Sequence, residues 1–119
     1  MFKFFEKINL RRELYKRLND FRKFEKDWDG YGGHRFSESV LLRSMSFVEG
    51  LWVQKQDLPT SVVPVAGGGS IQFEYHDGRL DETEVEVGEE SYSMLFPDYE
   101  EVHNCSLNYV LKRLESFGR

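Results

Sequence analysis

Apolar positions in the first half of the chain recur every three or four residues, and charged side chains fill the positions between them. The first series runs from Leu10 to Trp28, and the second runs from Leu41 to Trp52. Spacing of this kind places the apolar side chains on one face of an α-helix. The pattern therefore predicts two N-terminal helices within residues 10–56.

The ends of these helices are indicated by residues that can satisfy free backbone groups. Asn9 precedes the first series and Ser37 precedes the second, and both residue types are preferred N-caps. Residues 1–9 would then be an arm that leads into the first helix. The three glycines of residues 28–33 (WDGYGG) favour a loop after that helix, and Pro59 marks the end of the helical part.

Between residues 60 and 97 the apolar period changes from about 3.6 to 2, the period of strands with one buried face. The alternation predicts an antiparallel meander of about four strands. Pro64 cannot donate a hydrogen bond to a neighbouring strand, so the first strand is expected at the edge of the sheet.

Pairing rules restrict the turn after the second strand, because residues opposite each other in an antiparallel sheet point to the same face. A two-residue turn at positions 77–78 would pair Phe73 with Glu82 and bury a glutamate. We therefore expect a longer turn that pairs Phe73 with Thr83.

Helical spacing returns after Asn104, another preferred cap residue, and predicts a C-terminal helix over residues 104–117. The fold class expected is thus α+β, a single domain over residues 1–119 in which helices cover the apolar face of an antiparallel sheet, residues 60–97. Its 119 residues suit one core, and its eighteen aromatic side chains exceed what that core should hide. An exposed apolar patch, through which two copies could form a homodimer, is expected.

The formal net charge is −5, but the charged residues are distributed unevenly along the chain. Residues 1–27 carry a charge of +4, whereas residues 57–103 carry −11, with Arg79 as the one basic residue among twelve acids. A basic helix beside an acidic sheet is therefore predicted.

The single cysteine, Cys105, excludes a disulfide framework and is expected to be a small buried hydrophobe. Because no apolar run has the length of a signal peptide or membrane span, we expect a cytoplasmic protein without membrane association.

The outward face of the predicted sheet is the first candidate binding surface. Alternation assigns acidic and imidazole side chains to it, and these are Glu74, His76, Glu82, Glu84 and Glu86. Such a face can attract a cationic protein partner, or it can keep the sheet solvated and prevent edge-to-edge aggregation. A flat ladder does not enclose an ion, and no loop has calcium-binding spacing, so we expect neither a metal nor a cofactor.

The WDGYGG loop is the second candidate surface, because stiff aromatic side chains on a flexible loop can contact a partner. Its contacts would be Trp28, Asp29, Tyr31 and His34. The simpler interpretation gives Trp28 a packing role at the end of the first helix and gives Asp29 a hydrogen bond within the turn.

Other classes of function are less favoured. The sequence offers no grouping of nucleophile and base, so no catalytic residue is assigned. A small-molecule-binding protein or enzyme would need an aromatic pocket between the sheet and the helices, lined by Trp28, Tyr31, Trp52, Phe73 and Tyr75 and oriented by Asp29, His34 and Glu74. An acidic mimic of nucleic acid would need carboxylates in a row at phosphate-like spacing. Binding of nucleic acid itself is disfavoured because acids interrupt the basic residues of the first helix.

Three short motifs also resemble a known group of proteins. They are WDGYG at residues 28–32, VVP at residues 62–64 and, after a glycine turn, IQFEY at residues 71–75. Together they are similar to a widespread group of small bacterial proteins found in phages, integron cassettes and other mobile elements, whose members usually have Trp where this chain has Tyr75. The resemblance implies an accessory protein of a mobile element that regulates or blocks another protein, and it supplies no catalytic residues.

Overall fold

In the computed structural model, the described residues form three helices and one five-stranded antiparallel sheet. The structure describes residues 4–24, 28, 33, 35–66 and 69–117. In chain order the elements are α1 (Phe4–Arg22), α2 (Glu38–Val53), β1 (Ser61–Pro64), β2 (Ile71–Glu74), β3 (Glu84–Val87), β4 (Tyr92–Leu95), β5 (Glu101–Cys105) and α3 (Leu107–Ser116). The α+β architecture is confirmed, with one strand more than expected.

The first helix differs from its prediction at both ends. α1 already begins at Phe4, so Asn9 lies inside the helix and the predicted arm is wrong from residue 4 onward. α1 ends at Arg22, which leaves Trp28 beyond the helix. The Trp28 ring nevertheless packs with two neighbours, at centroid distances of 5.1 Å from Phe24 and 5.6 Å from Phe36. The apolar series therefore continues as an aromatic cluster after the helix has ended.

The second helix begins where the sequence predicts. The Ser37 side chain accepts a hydrogen bond of 3.2 Å from the backbone N–H of Val40, which satisfies one free donor of the first turn. The core side of α2 carries Val40, Leu41, Ser44, Phe47, Val48 and Leu51.

The sheet has the strand order β1-β2-β3-β4-β5, and the expected edge position of β1 is confirmed. Its inner face, which packs against the helices, consists of side chains that are at most 3% exposed: Val62, Ile71, Phe73, Val85, Val87, Tyr92 and Met94. The Phe47 ring of α2 meets the Phe73 ring of β2 at a centroid distance of 5.0 Å. The hydrophobic core thus lies between one sheet face and the helices.

The β2–β3 turn is longer than expected. Phe73 pairs with Val85 rather than with Thr83, and a 3-10 turn at Gly78–Leu80 lies in the connection. Two backbone hydrogen bonds between Tyr75 and residues 82–83, of 2.9 and 3.0 Å, close the longer loop. A shift of two residues preserves parity, so each strand side chain keeps its predicted face.

The fifth strand contradicts the predicted start of the C-terminal helix. Asn104 lies in β5 with φ of 57°, where the β4–β5 register shifts at a bulge, and Ser106 caps α3 instead. A bulge adds one residue to one strand and so interrupts the alternation of faces. That interruption is why residues 101–105 do not have the sequence pattern of a strand.

Cys105 is the last residue of β5 and is only 5% exposed. Its expected role as a small buried hydrophobe is confirmed. Desolvation raises the pKa of the Cys105 thiol, with Arg113 opposing the shift, so the thiolate form is disfavoured. None of the described helices combines the length and apolar character needed to cross a bilayer.

Arg11 and Glu49 connect α1 to α2. The Nη2 of Arg11 lies 2.7 Å from Oε2 of Glu49, and the Tyr15 hydroxyl donates to the same oxygen at 2.9 Å. The Arg11 guanidinium also lies over the rings of Tyr15 and Trp52. The hydrogen bonds from Arg11 and then Tyr15 lower the pKa of the Glu49 carboxyl.

The stability contribution of Glu49 should therefore depend on pH. A lowered folded pKa stabilises the protein above the ordinary carboxyl value of 4.5, and the contribution is lost as the pH falls through the folded value. Because the pair is partly exposed, Glu49→Gln is expected to reduce the free energy of unfolding by about 1 kcal/mol at neutral pH. Urea denaturation at a series of pH values below 4.5 should show this difference shrinking as the carboxyl becomes protonated in the folded state as well. A difference that stays constant with pH, or an equal loss in Glu115→Gln, would contradict it.

Candidate functional site

The sheet face turned away from the helices is left open by the described elements. We call it the outer sheet face, and it comprises Ser61, Val63, Gln72, Glu74, Glu84, Glu86, Ser93, Leu95, Glu101 and His103. Every one of these residues is half-buried or exposed. The face contains four glutamates and no Lys or Arg, so its charge is predominantly negative.

Three of the carboxylates share one row across the sheet. Glu74 pairs with Glu84, which pairs with Leu95, which in turn pairs with Glu101. Glu86 lies two positions further along β3. Neighbouring strands are about 4.8 Å apart, so like charges on adjacent strands repel one another. A cationic surface placed over the row would relieve this repulsion.

The carboxylate of Glu74 is fixed by polar neighbours. Gln72 donates its Nε2–H to Oε2 at 2.8 Å, the Ser61 hydroxyl donates to Oε1 at 3.3 Å, and Nε2 of His76 lies 3.1 Å from Oε1. By contrast, the Glu84 carboxylate makes no hydrogen bond or ion pair with any residue that the structure describes. Glu84 is therefore free to pair with a group from outside the molecule.

A cleft of about 300 Å³ lies at one end of the outer sheet face. Its acidic and imidazole walls are Glu74, His76, Glu82 and Glu84, so the structure brings four predicted site residues together. Tyr99, which is 85% exposed, lines the same cleft. The arrangement offers carboxylates and an aromatic ring to one cationic group.

Tyr75 also borders this cleft, but its side chain belongs to the core. Its side chain is 2% exposed, and its hydroxyl donates to the Asp57 carbonyl at 3.1 Å. Burial is the main cause that raises the pKa of the Tyr75 hydroxyl. The structure therefore gives Tyr75 a packing role in the core.

Glu101 and His103 belong to the outer sheet face, although the sequence analysis did not include them. Nε2 of His103 lies 3.6 Å from Oε2 of Glu101, and its Nδ1 lies 3.2 Å from the Ser93 hydroxyl. Both residues were missed because β5 was missed. The alternation of Glu101, Val102 and His103 is the one sequence signal that could have placed them.

Two groups on this face combine a serine, a histidine and a glutamate. In the first, Nε2 of His76 lies 3.1 Å from both the Ser61 hydroxyl and the Glu74 carboxylate. A catalytic triad needs the two partners on different ring nitrogens, so that one orients the ring while the other loses its proton. This group does not have that arrangement.

The second group, Ser93 with His103 and Glu101, fails for other reasons. The 3.6 Å between the ring and the carboxylate is too long for a hydrogen bond. Glu84 and Glu86 line the same groove, where their charges would oppose an oxyanion next to Ser93. The face is therefore better suited to binding a cation than to acyl transfer.

Most of the WDGYGG loop lies outside the described residues, and this includes Asp29, Tyr31 and His34. Trp28 is described and is half-buried in the aromatic cluster with Phe24 and Phe36.

The described members of the expected aromatic pocket do not converge. Phe73 is fully buried against Phe47, whereas Trp52 lies under the guanidinium of Arg11 between α1 and α2. Glu74 points to the opposite sheet face from Phe73. The space between sheet and helices is filled by core side chains at these positions.

Within the described part of the chain, no group of three or more His, Cys, Asp or Glu residues is arranged to hold a metal ion. In comparisons with known proteins, the chain matches no family model, no curated protein and no solved structure. Function is therefore inferred from the chemistry of the outer sheet face.

Proposed function

We propose that this chain is a non-enzymatic binding protein whose outer sheet face binds a basic surface of another protein. The observation that carries the proposal is the open row of Glu74, Glu84 and Glu101 on a face without Lys or Arg. Complementary charge of this kind speeds association and fixes the orientation of the partner.

The outer sheet face also carries apolar side chains beside the row of carboxylates. Leu95 and Val63 are half-buried on the same face, and Tyr99 extends from the adjoining cleft. Lys and Arg side chains combine an aliphatic stem with a charged head, so they can cover the apolar positions while they pair with the carboxylates. This combination favours a protein partner with several basic residues.

The arrangement of charge supports a protein partner over mimicry of nucleic acid. The row of carboxylates has three members, is interrupted by Leu95 on β4 and so has unequal intervals, and Glu86 lies beside it on β3. Phosphates of a nucleic acid follow one another in a long, regular series.

The resemblance carried by residues 28–32, 62–64 and 71–75 supports the same proposal. It favours a cytoplasmic accessory protein of a mobile element that blocks or regulates another protein.

Charge reversal on the outer sheet face tests the proposal. The probe is a fluorescently labelled peptide of about ten lysines, measured by anisotropy at about 20 mM salt, where surface charges are weakly screened. The triple variant E74K/E84K/E101K is expected to weaken binding by at least about tenfold, because it replaces attraction by repulsion. Raising the salt should weaken binding of the wild-type protein.

A matched control variant distinguishes the effect of the outer sheet face on binding from the effect of the protein's net charge. The variant E89K/E90K/E115K makes the same change in net charge at exposed positions outside this face. It is expected to retain most of the wild-type affinity. Equal losses in both triple variants, with circular dichroism showing both folded, would overturn the proposal.

A further inference from the structure

A row of basic side chains follows the solvent side of α1. Arg12 and Lys16 lie on α1, and Lys23 lies in the turn that directly follows it; all three are exposed. Continuing the helical rotation through that turn places the three positions within about 40° of one another around the axis. We call them the α1 basic stripe. Because the stripe lies opposite the buried residues of α1, it faces away from the core and from the sheet.

The stripe side chains are left without partners among the described residues, whereas Arg11 and Arg22 have them. Arg11 pairs with Glu49 at 2.7 Å, and Arg22 pairs with Glu38 at 3.3 Å. The Arg12, Lys16 and Lys23 side chains make no hydrogen bond or ion pair with any described residue. Two exposed acids border the stripe: around the helix axis, Glu13 is about 60° and Asp20 about 40° from Lys16.

The spacing of the stripe matches the spacing of the acidic row. Four residues of α1 separate Arg12 from Lys16 by about 6 Å, and seven residues at the same rise separate Lys16 from Lys23, in the turn after α1, by about 10.5 Å. One and two strand intervals separate Glu74, Glu84 and Glu101 by about 4.8 Å and about 9.6 Å. A helix laid across the strands would therefore bring each basic side chain within reach of one carboxylate.

We infer that the α1 basic stripe of one copy docks on the outer sheet face of a second copy. The inference rests on the proposed function, since it names a second copy of the chain as the partner of that surface. The two surfaces lie on opposite sides of the molecule, so the contact is head-to-tail and the assembly extends unless its rotation closes a ring.

Neutralised variants test this contact by sedimentation velocity at about 20 mM salt. The wild-type protein is expected to exceed its monomer mass of 14.1 kDa increasingly as its concentration rises. The variants R12Q/K16Q/K23Q and E74Q/E84Q/E101Q should each remain monomeric, because each lacks one half of the contact. An equimolar mixture retains one native junction, and it should stop at a dimer of twice 14.1 kDa.

The control for self-association, and the results that would overturn it, differ from those for the proposed function. The variant K112Q/E115Q changes exposed charges on α3 and should associate like the wild type. A wild-type protein that stays at 14.1 kDa up to about 1 mM overturns the inference, as does a mixture without dimer. If oligolysine binding still depends on the outer sheet face, the proposed function stands; if that dependence is also absent, both fail.

Discussion

Phe47→Ala is expected to reduce the free energy of unfolding by about 3–5 kcal/mol. The Phe47 side chain is fully buried, and its ring lies 5.0 Å from the ring of Phe73 and 6.3 Å from that of Tyr92. Truncation would leave a cavity between α2 and the two strands, and would remove the packing that fixes the helix on the sheet. Urea denaturation, followed by circular dichroism, measures the loss.

Leu42→Ala is the matched control for this experiment, because Leu42 lies on the same helix but is 57% exposed. Its loss should stay within about 0.5 kcal/mol, as expected for surface positions. Similar losses in the two variants would show that α2 does not bury the face assigned to it.

A lysine substituted on the inner face of β3 should have a larger effect than one on its outer face. Val85 is fully buried between Phe73 and Met94, so Val85→Lys would bury a charge without a partner and should cost more than about 4 kcal/mol or prevent folding. Glu84→Lys, one residue earlier, replaces a carboxylate that faces Glu74 by a cation. Its effect on stability should be neutral or slightly favourable, because repulsion between like charges is removed.

The two lysine variants are compared by urea denaturation, or by solubility and circular dichroism if Val85→Lys does not fold. They differ by one position along the strand and introduce the same side chain, so the comparison reports the face of each residue. A severe loss in Glu84→Lys, or a mild one in Val85→Lys, would contradict the register of β3.

Local sequence signals predicted the elements whose pattern is regular. Ser37 caps α2 as its side chain chemistry suggests, and the alternation of residues 71–74, 84–87 and 92–95 matches the buried and open faces of the sheet. Asn9 misled the prediction because residue preference is a weak signal: an asparagine inside a helix costs less than about 1 kcal/mol, and α1 begins at Phe4. The β2–β3 register could not be fixed, because parity excludes odd shifts but leaves shifts of two residues open.

The residues of the candidate site could be predicted in strands whose side chains alternate regularly between the two sheet faces, but not in β5. Glu74, Glu84 and Glu86 occupy the outer sheet face as their positions indicate. Tyr75, expected to line an aromatic pocket, is buried in the core, because the same alternation that turns Glu74 outward turns its neighbour inward. The pairing of Glu101 with the acidic row depends on a strand that a bulge conceals, so only the three-dimensional structure connects it to Glu84.

Both edges of the sheet resist extension by another strand. At one edge Pro64 lacks the donor that an added strand would need, and at the other the bulge at Asn104 breaks the regular series of backbone groups. Polymerisation through backbone hydrogen bonds, the route by which open sheets form amyloid, is thereby disfavoured at each end. An assembly that joins the outer sheet face to a basic surface is held by charged side chains instead, so salt should weaken it and single substitutions should adjust it.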